Sequence, residues 1–337
     1  MRNVYQVLRT SSLIKSKRIR LLGIWLLHVM RQRYLGIFLD PVLACNFRCK
    51  MCYFSDEEGR KRFHGTFNIE DVELIAKALF HKALKLQMGC GAEPTIHKDL
   101  SKIIALGKKY RIPYISLTTN GSLLNEEKIL ELAEAGLNEL TLSTHGLKKE
   151  TYEYLMTKGK YEHFIQLLKD VSKVKEQYPD FRLRINYTVN NLNMDELSEI
   201  WRIAGDSMDI FQIRPVQKIG ETEYSDFDLT NLYENYDSVF SPIITECKKR
   251  NIICLVPDKK NIATLGNDEV SDSRFEHATY CYVSPRSCWR DDFDYMTDTF
   301  ESYTKREKEG RQLFKNIFTK EKKQKVDVSR KLNYNIK

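Results

Sequence analysis

The chain is predicted to fold as an α/β protein, a partial (β/α)6 TIM-like barrel with a basic N-terminal helix and a C-terminal extension. Three observations predict this. From residue 37 onward, short β-branched apolar runs alternate six times with longer stretches of helical periodicity. That pattern favours a parallel sheet covered by helices and closed, or nearly closed, into a barrel. The 337 residues, 42% hydrophobic and 30% charged, can bury a large core and are not those of a disordered chain. Basic charge gathers at the two ends. Residues 1–35 hold eight Lys or Arg and no acid, and residues 301–337 hold twelve against five acids, so of the total of +8 the middle carries 8 − 15, or −7.

The elements follow in order. "IFLDPVL" (37–43) reads as the first strand, and 69–84 as a helix with Asn68 as N-cap and acids in its first turn. "KLQMG" (85–89) is the second strand, 99–110 a helix, "YISLTTNG" (114–121) the third strand, and 125–136 a helix stopped by Gly136. Strand "NELTLS" (138–143), helices over 148–156 and 161–177, strand "RLRINYTV" (182–189), a helix over 193–204, strand "DIFQIRP" (209–215) and a helix over 228–250 complete the alternation. Right-handed crossovers put every strand-to-helix loop on one rim. Three regions result: a basic amphipathic segment over 1–36, a barrel core over 37–220, and a last barrel helix plus an irregular, lysine-rich part over 221–337.

The apolar stretch within "RIRLLGIWLLHVMRQR" lacks a small-residue cleavage site, ends at Arg31 and Arg33, and is too short to span a bilayer. Residues 13–35 either lie peripherally in an anionic membrane surface or pack on the barrel. Eight cysteines, three crowded into one loop and five scattered, do not make a disulfide scaffold, so the expected location is the reducing cytoplasm, with the inner membrane face as a possible contact.

The chemistry is expected in "DPVLACNFRCKMCYF" (40–54), where Cys45, Cys49 and Cys52 occupy the loop leaving the first strand. Three thiolates there can hold three corners of a [4Fe-4S] cluster and leave one iron open to an outside ligand. The C-x3-C-x2-C spacing on the first loop of such a barrel resembles the radical S-adenosylmethionine (SAM) superfamily. That resemblance, over roughly residues 37–220, implies an oxygen-sensitive enzyme in which SAM chelates the open iron. One-electron reduction, from a donor such as a flavodoxin or ferredoxin, splits SAM to a 5′-deoxyadenosyl radical that abstracts hydrogen from a substrate.

The resemblance implies roles at each strand end. "GCGAEPT" (89–95) is similar to the family's GGEP element, with Glu93 at the SAM ammonium and small Gly91 and Ala92 allowing close approach. "TTNG" (118–121) is either a further family element or an ordinary turn. In "STHG" (143–146), Ser143 offers a hydroxyl, while His145 stands where relatives often have Asp. On the fifth strand, Arg184 is expected to pair with the cofactor carboxylate and Asn186 to reach the ribose or reacting centre. The backbone at Gln212 and Ile213 is expected to edge the adenine, with Arg214 toward substrate. Met51 stands where relatives carry an aromatic residue packed on adenine. Cys90 is either a radical partner or a buried, inert thiol.

Other readings stay open. The cysteine loop can be a zinc site completed by a residue such as His64, in a non-catalytic nucleic-acid-binding protein; no second ligand pair is present in the sequence. Cys247, Cys254, Cys281 and Cys288 are too few and wrongly spaced for a full SPASM domain but allow one auxiliary cluster. A peptide, an envelope lipid or sugar, and RNA are all compatible substrates, and the basic ends favour something anionic or membrane-bound.

Overall fold

A computed structural model describes residues 14, 16–259, 262 and 274–319, together with the backbone of 270, 271, 324, 325, 335 and 336. Residues 1–13 and 15 of the N-terminal segment, and the lysine-rich tail beyond 319 apart from the backbone of 324, 325, 335 and 336, lie outside the described residues.

The strands are β1 (Leu35–Leu39), β2 (Ala83–Met88), β3 (Tyr114–Thr119), β4 (Glu139–Thr144), β5 (Arg182–Val189), β6 (Ile210–Pro215), β7 (Ile253–Val256), β8 (Val270–Ser271), β9 (Tyr280–Ser284), β10 (Ser287–Cys288), β11 (Gln324–Lys325) and β12 (Asn335–Ile336). Ten of them form one sheet in the order β10-β9-β1-β2-β3-β4-β5-β6-β7-β12. Neighbours from β9 through β7 pair in parallel, and short antiparallel strands, β10 and β12, flank the two ends. The architecture is a mixed α/β partial TIM barrel. The six expected strands are present; β7 and β9 add to them from a region expected to be irregular.

Local sequence explains the helices that space these strands. Asn68 caps the helix Ile69–Leu79 through a 2.7 Å bond accepted from the Asp71 amide. Gly136, at φ 115°, ends the helix Glu126–Ala135 in the left-handed conformation that glycine tolerates. The expected helix over 228–250 divides into Thr230–Glu234 and Tyr236–Lys249, with Asn235 at the break.

Alternation along each strand separates two environments. On β5, Leu183, Ile185, Tyr187 and Val189 are fully buried on the helix-facing side, while Arg182, Arg184, Asn186 and Thr188 face the barrel interior. Outward-facing Ile37, Leu86, Leu117, Leu140 and Leu142 continue the apolar layer around the sheet.

The N-terminal helix Lys17–Val29 buries Leu21 and Ile24, with Trp25 against Phe314 of the helix Glu309–Phe318 at a ring distance of 5.1 Å. After it, the Arg33 guanidinium donates to the carbonyls of Phe80, Ala83 and Tyr110, fastening the chain at the N-terminal end of the barrel. Among the described residues no helix is long and apolar enough to cross a membrane.

Candidate active site at the barrel rim

The loop leaving β1 carries Cys45, Cys49 and Cys52, all free and half-buried. Its backbone is held by bonds from Arg48 N to Thr157 O (3.0 Å) and from Lys50 N to Leu155 O (2.9 Å). Burial pushes the Cys45 thiol up to about 12, opposed by a hydrogen bond from the Phe47 backbone and by the Arg48 charge. Burial likewise raises Cys49, and the neighbouring Cys52 and Cys45 raise it further, so the three sulfurs share one electrostatic environment. Cys52 is raised by burial against a bond from the Phe54 backbone. Such a set repels its own thiolates unless a cation stands between them, and N–H groups aimed at sulfur are the environment that thiolate-bound clusters use. Among the described residues no group of three His, Cys, Asp or Glu side chains, the three loop cysteines included, is already closed on a single-ion site. His64, weighed as a fourth zinc ligand, stands against the Arg286 guanidinium at 3.2 Å.

Two neighbouring loops are tied to the cysteine loop. Asp40, fully buried after β1, accepts from the backbone N–H of Cys90 (2.7 Å) and Gly91 (2.9 Å) and from the hydroxyl of Tyr282 on β9 (2.8 Å). Burial still holds its carboxyl above the usual range. Tyr53 donates to the Gly91 carbonyl. A Cβ at Gly91 would lie 2.7 Å from that Tyr53 oxygen, so a larger residue there would push the tyrosine hydroxyl aside. Asp40 and Tyr282 were not among the residues singled out in the sequence. The signal for Asp40 was an acid between an apolar strand and a proline.

Glu93 is buried, and its N–H donates to Ala44 O at 2.9 Å. Its carboxylate accepts from the Thr95 amide (3.2 Å) and hydroxyl (2.5 Å), the Thr119 hydroxyl (2.6 Å) and the Asn120 amide (2.7 Å). The Asn120 side chain in turn donates to Asn46 Oδ1 (2.9 Å) and lies 4.0 Å from Cys45 Sγ. "TTNG" is therefore a brace between the first and second loops.

Ser143 and Asn186 lie side by side on the inner faces of β4 and β5, in register with Gln212 on β6. Asn186 Oδ1 is buried with no hydrogen-bond partner. A buried amide oxygen without a donor marks a place where an external donor fits. Arg214 is half-buried on the inner face near the end of β6, in register with Thr188. Ile213 turns its side chain outward into the core, so it meets the interior through its backbone alone. Ala92 is half-buried beside Gly91.

Three expectations need correction. Arg184 is not at the rim: it sits five residues, roughly 17 Å, below the end of β5. There it pairs with Glu139 at 2.7 Å and donates to Gln212 at 3.1 Å. Met51 is only 7% exposed and its sulfur accepts from the Asn190 amide at 3.3 Å, so it packs under the loop rather than presenting a face to adenine. Cys90 is exposed, not buried. The late cysteines form two pairs. Cys247 and Cys254 share a hydrogen bond on the β7 side; Cys281 lies near Cys288 at the β9–β10 hairpin. Cys254 and Cys281 both point into the core, and the described residues bring no auxiliary-cluster ligand set together.

The radical SAM superfamily profile matches residues 40–200. A "Probable GTP 3',8-cyclase" of Saccharolobus islandicus (strain M.14.25 / Kamchatka #1) is 26% identical over 200 residues, covering 57% of this chain and 61% of that protein. Its counterpart from Sulfurisphaera tokodaii is 27% identical over 177 residues, 51% and 54% of the two chains. The chain thus aligns with little more than half the length of these relatives. Among solved structures, Streptococcus suis SuiB bound to S-adenosylmethionine superposes with a TM-score of 0.60 at 17% identity, over 81% of this chain and 64% of that one. SuiB bound to precursor peptide SuiA gives 0.59 at 18%, over 77% and 60%. These likenesses show the fold. With the cysteine loop and the braced loops after β2 and β3 inside the matched span, residues 40–200 of this chain carry a radical SAM domain, the mark of a superfamily of enzymes.

Proposed function

We propose that this protein uses a [4Fe-4S] cluster on Cys45, Cys49 and Cys52 to cleave SAM reductively and abstract hydrogen from a polar substrate. The observation that carries the reading is the set of three free thiols on one rim loop, with backbone donors at Cys45 and Cys52. When bound, the cluster and SAM supply the one-electron chemistry; the protein supplies position and shielding.

Asp40 and Tyr53 hold the Gly91–Ala92 backbone close to the cysteine loop. Glu93 is proposed to meet the ammonium of SAM with a carboxylate already oriented by Thr95, Thr119 and Asn120. Ser143 and Asn186 supply a hydroxyl and an unpaired amide oxygen to the nucleoside, and the backbone of Ile213 edges the adenine. Arg184 leaves this set. Thr118, Ser143, Asn186 and Arg214 line the upper interior, which supports a substrate with hydrogen-bonding or anionic groups.

Electron delivery by a flavodoxin or ferredoxin is supported by a cleft of about 290 Å³ beside Asn46 and Phe47 of the cysteine loop. Lys158, Lys160 and His163 line it and would seat an acidic donor.

Anaerobic reconstitution with iron and sulfide, followed by reduction with SAM, tests the proposal. It predicts a brown protein with about four irons per chain, as one cubane cluster requires, and release of 5′-deoxyadenosine. A colourless protein that binds only zinc would overturn it. A panel of a peptide, a GTP and an envelope-lipid or sugar substrate, scored by substrate-dependent 5′-deoxyadenosine release, then names the substrate class.

A further inference from the structure

At the N-terminal end of the barrel, remote from the cysteine loop, the helix Lys17–Val29 and the helix Glu309–Phe318 pack against each other and leave a shared apolar face uncovered among the described residues. Ile19 (56% exposed), Leu22 (40%), Leu26 (44%), Val29 (56%) and Met30 (63%) recur at helical spacing on one side of the first helix. That side is not the one that buries Leu21 and Ile24. Trp25 reaches Phe314 (47% exposed), and Phe314 reaches Phe318 (66%) at a ring distance of 5.2 Å, so the apolar stripe continues across both helices. An exposed patch of this kind marks an interaction surface.

Charge selects the partner. The first helix contains no acid; exposed Lys17 and Arg18 stand at its start and Arg31 just beyond its end. Exposed Arg311 and Lys315 flank Phe314 on the second helix. Glu309, the acid of that helix, is half-buried, and Glu301 nearby is engaged by His81 and Lys82. Apolar side chains rimmed by cations, without exposed acids between them, match the headgroup and acyl layers of an anionic bilayer. We propose that this two-helix face docks the protein peripherally on an anionic lipid surface, with the catalytic rim turned away from the bilayer.

Co-sedimentation of the full chain with vesicles of phosphatidylcholine alone, or of phosphatidylcholine with phosphatidylglycerol, tests this. Pelleting is expected with the anionic vesicles and should fall as salt rises. Leu22→Glu with Leu26→Glu should reduce it by at least about tenfold. Arg18→Ser or Lys315→Ser should reduce it by roughly fivefold each at low salt, with an unchanged melting temperature. Equal pelleting with both vesicle types, no pelleting with either, or a double variant that pellets like the parent would overturn the proposal. So would a lipid-free dimer that the double variant converts to monomer without any vesicle binding, which assigns the face to a second copy. The assay reads no catalytic step, so its failure leaves the radical chemistry standing, and a failure of that chemistry leaves this result standing.

Discussion

The upper and lower halves of the barrel interior are lined by alternate residues of the same strands, yet they are built for opposite purposes. The upper half presents half-buried thiols, hydroxyls and an amide oxygen without a protein donor. The lower half is closed. There the fully buried Glu139 pairs with Arg184 and accepts from Tyr114 and Thr141, while Ile210 and Leu255 fill the remaining space. A charge buried this deeply is tolerated only with its partner in place. The lower half therefore pairs its polar groups with one another, while in the upper half the Asn186 amide oxygen has no protein partner.

Substitutions can break or sharpen this contrast. The largest effect is expected at the rim: Cys49→Ala should abolish cluster binding and 5′-deoxyadenosine formation while barely moving the melting temperature, read by iron content and calorimetry. In the floor the pattern reverses. Arg184→Met leaves Glu139 uncompensated and should cost ~3–5 kcal/mol of stability in denaturant unfolding, and Glu139→Leu added to it should recover most of that loss. Weakened SAM binding with unchanged stability would instead return Arg184 to the cofactor site.

His145, at the end of β4, gives a pH test of the rim. Burial lowers its pKa from 6.5 to about 4. Below pH 6.5 the unfolded chain takes up a proton that the folded chain resists. Stability should therefore fall as pH drops from 6.5 toward 4, by up to about 3 kcal/mol, and His145→Gln should flatten that slope.

A smaller cost is expected where single side-chain ties of the rim are loosened. Asp40→Asn should remove about 1–3 kcal/mol and raise the KM for SAM, since the Gly91 loop loses its anchor. Met51→Leu should cost under about 1.5 kcal/mol and leave SAM binding unchanged, because its contact is with the core.

Much of this was legible in the sequence where the pattern was local. The strand 182–189 and the helix 161–177 match their expected bounds because their periodicities are long and uninterrupted. The cysteine loop could be read from its spacing, and the glycine loop after β2 from its likeness to the family's GGEP element. Depth could not: alternation placed Arg184 on the inner face correctly, but period 2 carries no information about height in a barrel, and its partner Glu139 lies on another strand. Asp40 was missed for the same reason, since its hydroxyl donor lies 242 residues away. β7 and β9, four and five residues long, were too short to stand out from irregular surroundings.

The bond from Tyr282 to Asp40 also orders events on the ribosome. At about 5–20 residues per second, the strand carrying Tyr282 leaves the exit tunnel roughly 12–50 s after the cysteine loop. Through that interval the nascent chain exposes three thiols whose neighbouring loop lacks its last anchor. Metal delivery that waits for β9 would meet a finished cradle, whereas delivery before it would meet a loop still free to rearrange.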